Sequence, residues 1–366
     1  MAASSSMQFA LGALAPFITA ELGLARTAFG AASSVLFASG LVFSLVAGRL
    51  LGRWGDVTEL RVLHALVILA FAIVALAPSL PLIVAGAAVM GVALGLGNPA
   101  TNAFIAHHID ANVRGTATGL KQSGVQLGAL VVGLSAPPLA AVLGWRIAIA
   151  SVAVIAVLGL VTTGLVRGSP RTARLEEPEA TRGRGISPLT FRLVVYASFM
   201  GWGVSGIVAF LPLYAYDELG APAHLAGMLT GLISGLGAAS RVGAGVLGNA
   251  SREHWPWLVA HAIAAAAAAP LLLLATAWPA VIWLAVIGLG VGALGWQTPA
   301  MLAVVRHEPR PAHSSGLVMA GFFAGMLGGP LVFGWLADSS GSYTFSWLGV
   351  TLAFVLAASV GALSNG

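Results

Sequence analysis

The sequence contains no cysteine. This absence excludes a disulfide framework, a catalytic thiolate and a cysteine-bound metal. Charged residues are also scarce, at 8% of 366 residues, whereas soluble domains carry about 25%. Because so few charges cannot cover the surface of a globule, we exclude a soluble enzyme with a hydrophobic anchor.

What the chain has instead is long apolar runs. Hydrophobic residues make up 58% of it, and the mean hydropathy is +0.94. Its 47 glycines and 18 prolines lie inside those runs, where membrane helices tolerate them. The net charge of +5 does not indicate nucleic-acid binding, because the basic residues stand at helix ends without interleaved aromatics. The sequence therefore predicts an all-α integral membrane protein.

Twelve segments are long enough to cross the membrane, which takes about 20 apolar residues each. They are residues 2–23, 30–52, 61–79, 80–106, 115–143, 145–166, 192–216, 222–248, 256–277, 278–304, 314–337 and 344–364. With the N-terminus inside, 13 of the 17 basic residues fall on the cytoplasmic side, and two, Arg26 and Arg146, fall outside. The positive-inside rule then predicts that both termini are cytoplasmic. Span one begins without a basic lead, which favours a late start or a trimmed first helix.

The two halves of the chain resemble each other. Residues 48–50 (Gly-x-Leu) recur as residues 245–247, and the glycine pattern of 119–128 recurs at 316–325, both 197 residues later. Duplicated six-span halves are a transporter architecture. We predict three parts: an N-terminal six-helix bundle over 1–166, a polar cytoplasmic linker over 167–191 and a C-terminal six-helix bundle over 192–366.

Three segments resemble the major facilitator superfamily of secondary transporters. Residues 48–56, Gly-Arg-Leu-Leu-Gly-Arg-Trp-Gly-Asp, are similar to its Gly-x-Leu-x-Asp-Arg-x-Gly-Arg loop motif, although Gly52 stands at the motif's aspartate. Residues 114–146 and 329–343 are also typical of the superfamily. The resemblance covers essentially the whole chain. It implies twelve helices in two pseudo-symmetric bundles that work by alternating access, without enzyme chemistry or a cofactor.

The loop motif implies a cytoplasmic gate. Its glycines allow helices to approach closely, and an acid–arginine cluster can hold one access state. The candidate gate residues are Gly48, Arg53, Gly55, Asp56, Arg114 and Asp338. Because the motif's aspartate is missing, the alternative is that these charges only set topology.

Two departures count against drug–proton antiport. Drug exporters of the superfamily place an arginine in helix four where this chain has Ala87. Their helix five carries a Gly-Pro pair, whereas residues 133–138 here read Gly-Leu-Ser-Ala-Pro-Pro.

Ionisable residues at membrane depth are few. All twelve acids lie at or beyond span ends, whereas Lys121 and Arg241 lie inside spans five and eight. Both are roughly 10 Å from the cytoplasmic ends at 1.5 Å per residue, and the superfamily fold implies that these helices adjoin. Two such cations require an anionic partner, which a substrate can supply. In the alternative, they extend to the cytoplasmic surface or serve helix packing.

Neutral side chains in the spans are candidates for selectivity. The predicted substrate-binding residues are Lys121, Arg241, Gln126, Asn98, Asn102, Gln297, Gln8, Trp202 and Trp296. Hydrogen bonding between helices explains the amides equally well. For the two tryptophans, packing is the favoured interpretation.

The sequence thus predicts an inner-membrane transporter of a small organic anion, best a carboxylate, with a cyanate-like anion next. Uniport, anion exchange and symport of a protonated substrate all remain open. The alternatives are proton-coupled export of hydrophobic compounds and a receptor without transport activity. We expect a monomer whose partners are the anionic substrate and the lipid bilayer, without nucleic acid or metal.

Overall fold

A computed structural model describes residues 1–50, 55–110, 114–165, 186–248, 254–309 and 311–363. Within these ranges the chain is helical and no strand occurs. The helices are α1 Ala2–Leu22, α2 Arg26–Leu50, α3 Asp56–Ala75, α4 Leu80–His108, α5 Arg114–Leu143, α6 Trp145–Val152, α7 Val154–Leu165, α8 Pro188–Asp217, α9 Ala223–Gly248, α10 Trp255–Ala268, α11 Leu271–Leu274, α12 Val281–Gly295, α13 Gln297–His307, α14 Pro311–Ser340 and α15 Thr344–Ala362.

These helices correspond to the twelve predicted spans. Nine spans are single helices, and spans six, nine and ten are each divided in two, as α6–α7, α10–α11 and α12–α13. In the described ranges, eleven spans are long and apolar enough to cross a membrane. The twelfth, α1, has similar length but carries Ser4–Ser6 and Gln8 near its start.

Proline explains two of the divided spans. Pro270 lies between α10 and α11. Its ring clashes with the preceding turn, and its backbone nitrogen has no hydrogen to donate. Pro299 follows the division between α12 and α13 at Trp296, and its missing N–H removes a bond to the carbonyl of Gly295.

The two halves of the molecule approach each other closely at glycines, which have no side chain. A methyl group added at Gly12 of α1 would lie 1.9 Å from the Val208 carbonyl oxygen of α8. One added at Gly133 of α5 would lie 2.1 Å from the Gly231 nitrogen of α9. Such backbone contact is how membrane helices pack without a large hydrophobic driving force.

We name the two ends of the helix bundle after residues that lie there. The Arg26 end holds the start of α2, the ends of α8 and α14, and Tyr343; the His254 end holds the starts of α3, α5 and α10. The close glycine contacts between the halves in the described chain lie at mid-depth or nearer the Arg26 end. Under the predicted topology, which stays a prediction, the Arg26 end faces outside.

The linker prediction is tested only at its edge. Helix α8 begins at Pro188, three residues before the predicted linker ends. Its start is capped by Ser187, whose hydroxyl accepts a hydrogen bond from the Thr190 N–H at 3.0 Å. Residues 166–185 lie outside the described residues, so the division into two domains and a linker stays a prediction.

Candidate functional site

Lys121 lies on α5 and reaches across to α4. Its ammonium group donates a hydrogen bond to Asn98 Oδ1 at 3.2 Å. Both side chains are half-buried. Gly124, one turn further along α5, has no atom within 4 Å of the position of an added methyl group. Two of the predicted binding residues are thus in direct contact, beside open space.

Arg241 lies on α9 and supports the divided span ten. Its Nε donates to the Leu294 carbonyl oxygen at 2.8 Å. That carbonyl belongs to the last turn of α12, where helix carbonyls lack intrahelical donors and the helix dipole favours a cation. Arg241 therefore caps the end of α12, a structural role that the sequence analysis did not predict. This bond uses one of the five N–H donors of the guanidinium.

The packing of α5 against α9 relates the depths of the two cations. Gly133 lies against Gly231, and Leu130 lies against Gly235, so the helices run antiparallel in a regular register. Continued toward the His254 end, this register sets Arg241 within one helical turn of the level of Lys121. The two cations therefore lie at similar depth in different halves of the molecule.

Gln126 does not point toward Lys121. Gln126 is five positions further along α5, so the two side chains point about 140° apart at 3.6 residues per turn. Gln126 is buried, and its Oε1 has no hydrogen-bond partner within the described ranges. Gln297 is half-buried at the start of α13. Asn102 lies in α4 one turn after Asn98, and its side chain is outside the described part.

Gln8 lies apart, in a small cavity between the halves. The cavity is lined by Gln8 of α1, Ser33 of α2 and Ser205 of α8, together with apolar residues. Its volume is about 10 Å³, enough for a single water molecule. Gln8 therefore belongs to the contact between the halves in this conformation, and not to the surroundings of Lys121.

The tryptophans pack inside the second half. Trp296 is 1% exposed, and its ring lies 5.6 Å from that of Tyr196 and 5.4 Å from that of Phe322. Trp202 points toward α15, where a methyl group added at Gly349 would lie 2.9 Å from its ring. Both positions agree with the favoured packing interpretation.

Trp296→Ala is therefore expected to destabilise the fold without changing substrate affinity. Removing a buried aromatic side chain costs about 3–5 kcal/mol. We expect a lower melting temperature in detergent and an unchanged KM in the remaining folded protein. A specific rise in KM at normal stability would instead make Trp296 a substrate contact.

Most of the predicted cytoplasmic gate lies outside the described residues. Arg53 lies outside the described residues, as do the side chains of Asp56 and Arg114 and the surroundings of Gly48. Gly55 precedes α3 with φ 85°, a left-handed conformation that glycine adopts without strain.

Asp338 corrects the gate prediction. It lies near the end of α14, about 40 Å along the helix from Pro311 at 1.5 Å per residue. Its carboxylate accepts hydrogen bonds from Thr27 at the start of α2. Asp338 is therefore at the Arg26 end, opposite the start of α3.

The His254 end carries a polar cluster that the sequence analysis missed. Glu308, which follows α13, accepts hydrogen bonds from Ser187 before α8 and Ser314 of α14. His254 lies 3.1 Å from His307, measured between their Nε2 atoms. Burial is the main cause that lowers the pKa of His254, and the nearby His307 and Arg306 lower this pKa further. The cluster connects α8, α10, α13 and α14 at the His254 end of the second half.

Comparison with known proteins decides the family. The family model described as the Major Facilitator Superfamily matches residues 1–317. The chain belongs to the major facilitator superfamily. No curated protein sequence matches it.

Solved transporters share this major facilitator fold. A bacterial homolog of the human lysosomal transporter Spinster, inward-facing and occupied, aligns with a TM-score of 0.79 and 15% identity, covering 100% of this chain and 94% of that one. A D-xylose–proton symporter aligns at 0.76 with 17% identity, covering 98% and 94%. A nucleoside transporter aligns at 0.76 with 12% identity, covering 99% and 98%. Identities this low show the fold alone. As a member of the superfamily, this chain is a multi-pass membrane transporter.

Proposed function

We propose that this transporter carries a small organic anion, best a carboxylate, across the bacterial inner membrane by alternating access. Lys121 and Arg241 hold the negative charge, Asn98 lies beside Lys121, and Asn102, one helical turn later in α4, is a further predicted contact of the substrate. The observation that carries the proposal is the similar depth of two cations on α5 and α9, which come from different halves of the molecule.

The energetics favour a ligand that brings negative charge. A cation at the centre of a membrane helix costs about 2.5–3.5 kcal/mol on insertion scales. Within the described residues, the acids lie in or beyond the first or last turn of their helices, and the buried Glu59 lies one turn into α3. The Asn98 amide on α4 accepts from Lys121, and the Leu294 carbonyl of α12 accepts from Arg241. A bound anion that reaches both side chains would add a full negative charge to these dipoles.

The contacts between halves suggest the transport cycle. The close approaches of Gly12, Gly133 and Gly227 lie between mid-depth and the Arg26 end. With both termini cytoplasmic, this conformation is closed to the outside and the cations are approached from the cytoplasm. Rocking of one half against the other would expose them to the outside.

Counterflow of radiolabelled small carboxylates in proteoliposomes tests the proposal. We expect exchange by the native chain and a loss of at least about tenfold in Lys121→Ala, equal to 1.4 kcal/mol of binding. Because Arg241 also caps α12, Arg241→Lys keeps the charge and a donor. We expect it to retain more exchange than Arg241→Ala.

Arg146→Ala is the matched control, since it removes a cation at the Arg26 end, far from Lys121. Unchanged exchange in Lys121→Ala, or transport of neutral compounds alone, would reject the anion site. Proton-coupled export of hydrophobic compounds would then be the next hypothesis to test.

A further inference from the structure

An ionic cluster at the Arg26 end joins the two halves. Arg26 begins α2, and its Nε and Nη2 donate to Asp217 Oδ2 at 3.3 and 3.1 Å. Tyr343 donates to the same oxygen at 2.7 Å, and the guanidinium lies 4.5 Å from the centre of the Tyr343 ring. Asp217 ends α8 and Tyr343 precedes α15, so the cluster links the first half to two helices of the second.

Asp338 of the second half also caps a helix of the first half. The residue before α2 is Ala25, which has no side chain able to cap a helix. The backbone N–H groups of Arg26 and Thr27 donate to Asp338 at 3.2 and 2.8 Å, and the Thr27 hydroxyl donates at 2.6 Å. A carboxylate at this place satisfies N–H groups that lack helical partners and suits the helix dipole. The cap therefore depends on α14 staying beside α2.

The positions that the internal repeat makes equivalent to Arg26 and Asp338 carry uncharged residues. At the offset of 197 residues, Arg26 corresponds to Ala223 at the start of α9, and Asp338 corresponds to Ala141 in α5. Helices α5 and α9 meet through small residues instead: a methyl group added at Gly227 would lie 2.6 Å from the Pro137 ring. Glycines also pack the α2–α14 seam, because a methyl group added at Gly30 would lie 2.2 Å from the Pro330 carbonyl oxygen. The two seams therefore differ at the Arg26 end, where the α2–α14 seam carries the ionic cluster.

The repeat also supplies a matched ion pair that does not cross between halves. Glu21, near the end of α1, corresponds in the repeat to Asp217, and Arg146 corresponds to Tyr343, within one position. Arg146 pairs with Glu21, and the Trp145 Nε1 donates to the same carboxylate at 2.8 Å. All three residues belong to the first half. This pair lies at the same end of the molecule but joins helices of one half alone.

We propose that Arg26, Asp217 and Asp338 form a latch that holds the Arg26 end closed, and that the α5–α9 seam is the pivot about which this end opens. Opening breaks the ion pair, uncaps α2 and separates the glycine contacts of α2 with α14, while the contacts of α5 with α9 change less. The proposal rests on alternating access but not on the identity of the substrate.

Because the chain has no cysteine, single pairs of spin labels report each seam directly. One labelled pair, across the latch, is made by Ala25→Cys together with Ser340→Cys. A second labelled pair, across the α5–α9 seam, is made by Val142→Cys together with Leu225→Cys. All four positions are exposed. We would measure both distances by pulsed electron resonance in proteoliposomes without substrate. In Arg26→Gln and in Asp338→Asn, we expect the latch distance to increase and the pivot distance to change by less than half as much.

Arg146→Gln is the control and should change neither distance. Equal widening of both seams would overturn the pivot, and unchanged latch distances in both latch variants would overturn the latch. Should Arg26→Gln fail to fold, Asp338→Asn decides, since it keeps the size of the side chain. Widening as predicted in a protein that moves no anion would reject the proposed substrate and leave the latch standing.

Discussion

Gly12→Ala is expected to reduce exchange by at least about tenfold. The added methyl group would lie 1.9 Å from the Val208 carbonyl oxygen and 3.0 Å from its carbon, so α1 and α8 must move apart. Overpacking of this kind costs about 1–3 kcal/mol, and each 1.4 kcal/mol is a tenfold shift in an equilibrium. Because α1 and α8 belong to different halves, this cost falls on the conformation closed at the Arg26 end. Counterflow rates together with the latch distance measure the effect.

Gly164→Ala is the matched control for this prediction. Gly164 lies in α7, and no atom comes within 4 Å of an added methyl group. Alanine is a better helix former than glycine, so stability should not fall and exchange should not change. Native exchange rates in Gly12→Ala would show that the contact between α1 and α8 is not required for transport.

The helices were predictable because a membrane fixes their length. The predicted start of α4 and end of α5 agree with the structure, and α3 begins five residues before its predicted span. The divisions within spans were harder to predict. Pro299 interrupts α12–α13, whereas Pro16 and Pro330 lie inside continuous helices, because neighbouring helices can satisfy the carbonyl that a proline leaves without a donor.

The sequence predicted which charged residues lie at the candidate site, but it did not predict which neighbouring residues they contact. The scarcity of charge identified Lys121 and Arg241, since a cation at membrane depth stands out in composition alone. The sequence could not show that Arg241 caps α12, because that role depends on where a neighbouring span divides. Asp338 was assigned to the wrong end from a motif, although following the direction of span eleven would have set it beside Arg26. The bond from Arg26 to Asp217 joins residues 191 positions apart, and no local pattern predicts it.

Asn98→Asp is expected to weaken anion transport as strongly as removing Lys121. The amide oxygen of Asn98 accepts from the Lys121 ammonium at 3.2 Å, and aspartate has nearly the same shape with a full negative charge. Two opposite unit charges 4 Å apart attract by about 4 kcal/mol at an effective dielectric constant of 20. A substrate carboxylate would have to compete with that internal ion pair. We expect the KM for the transported anion to rise by at least about tenfold in counterflow measurements.

Asn98→Ser separates charge from hydrogen bonding in this prediction. Serine keeps a neutral acceptor oxygen but adds no charge, so it should raise KM much less than aspartate does. An unchanged KM in Asn98→Asp, in protein that is inserted and stable, would show that the charge of Lys121 does not meet the substrate. Lys121 would then be a residue that joins α5 to α4, and Arg241 would be the remaining candidate for holding an anion. Comparing Asn98→Asp with Asn98→Ser therefore tests whether the charge of Lys121 binds the substrate, and Asn98 itself need not contact the substrate for this test.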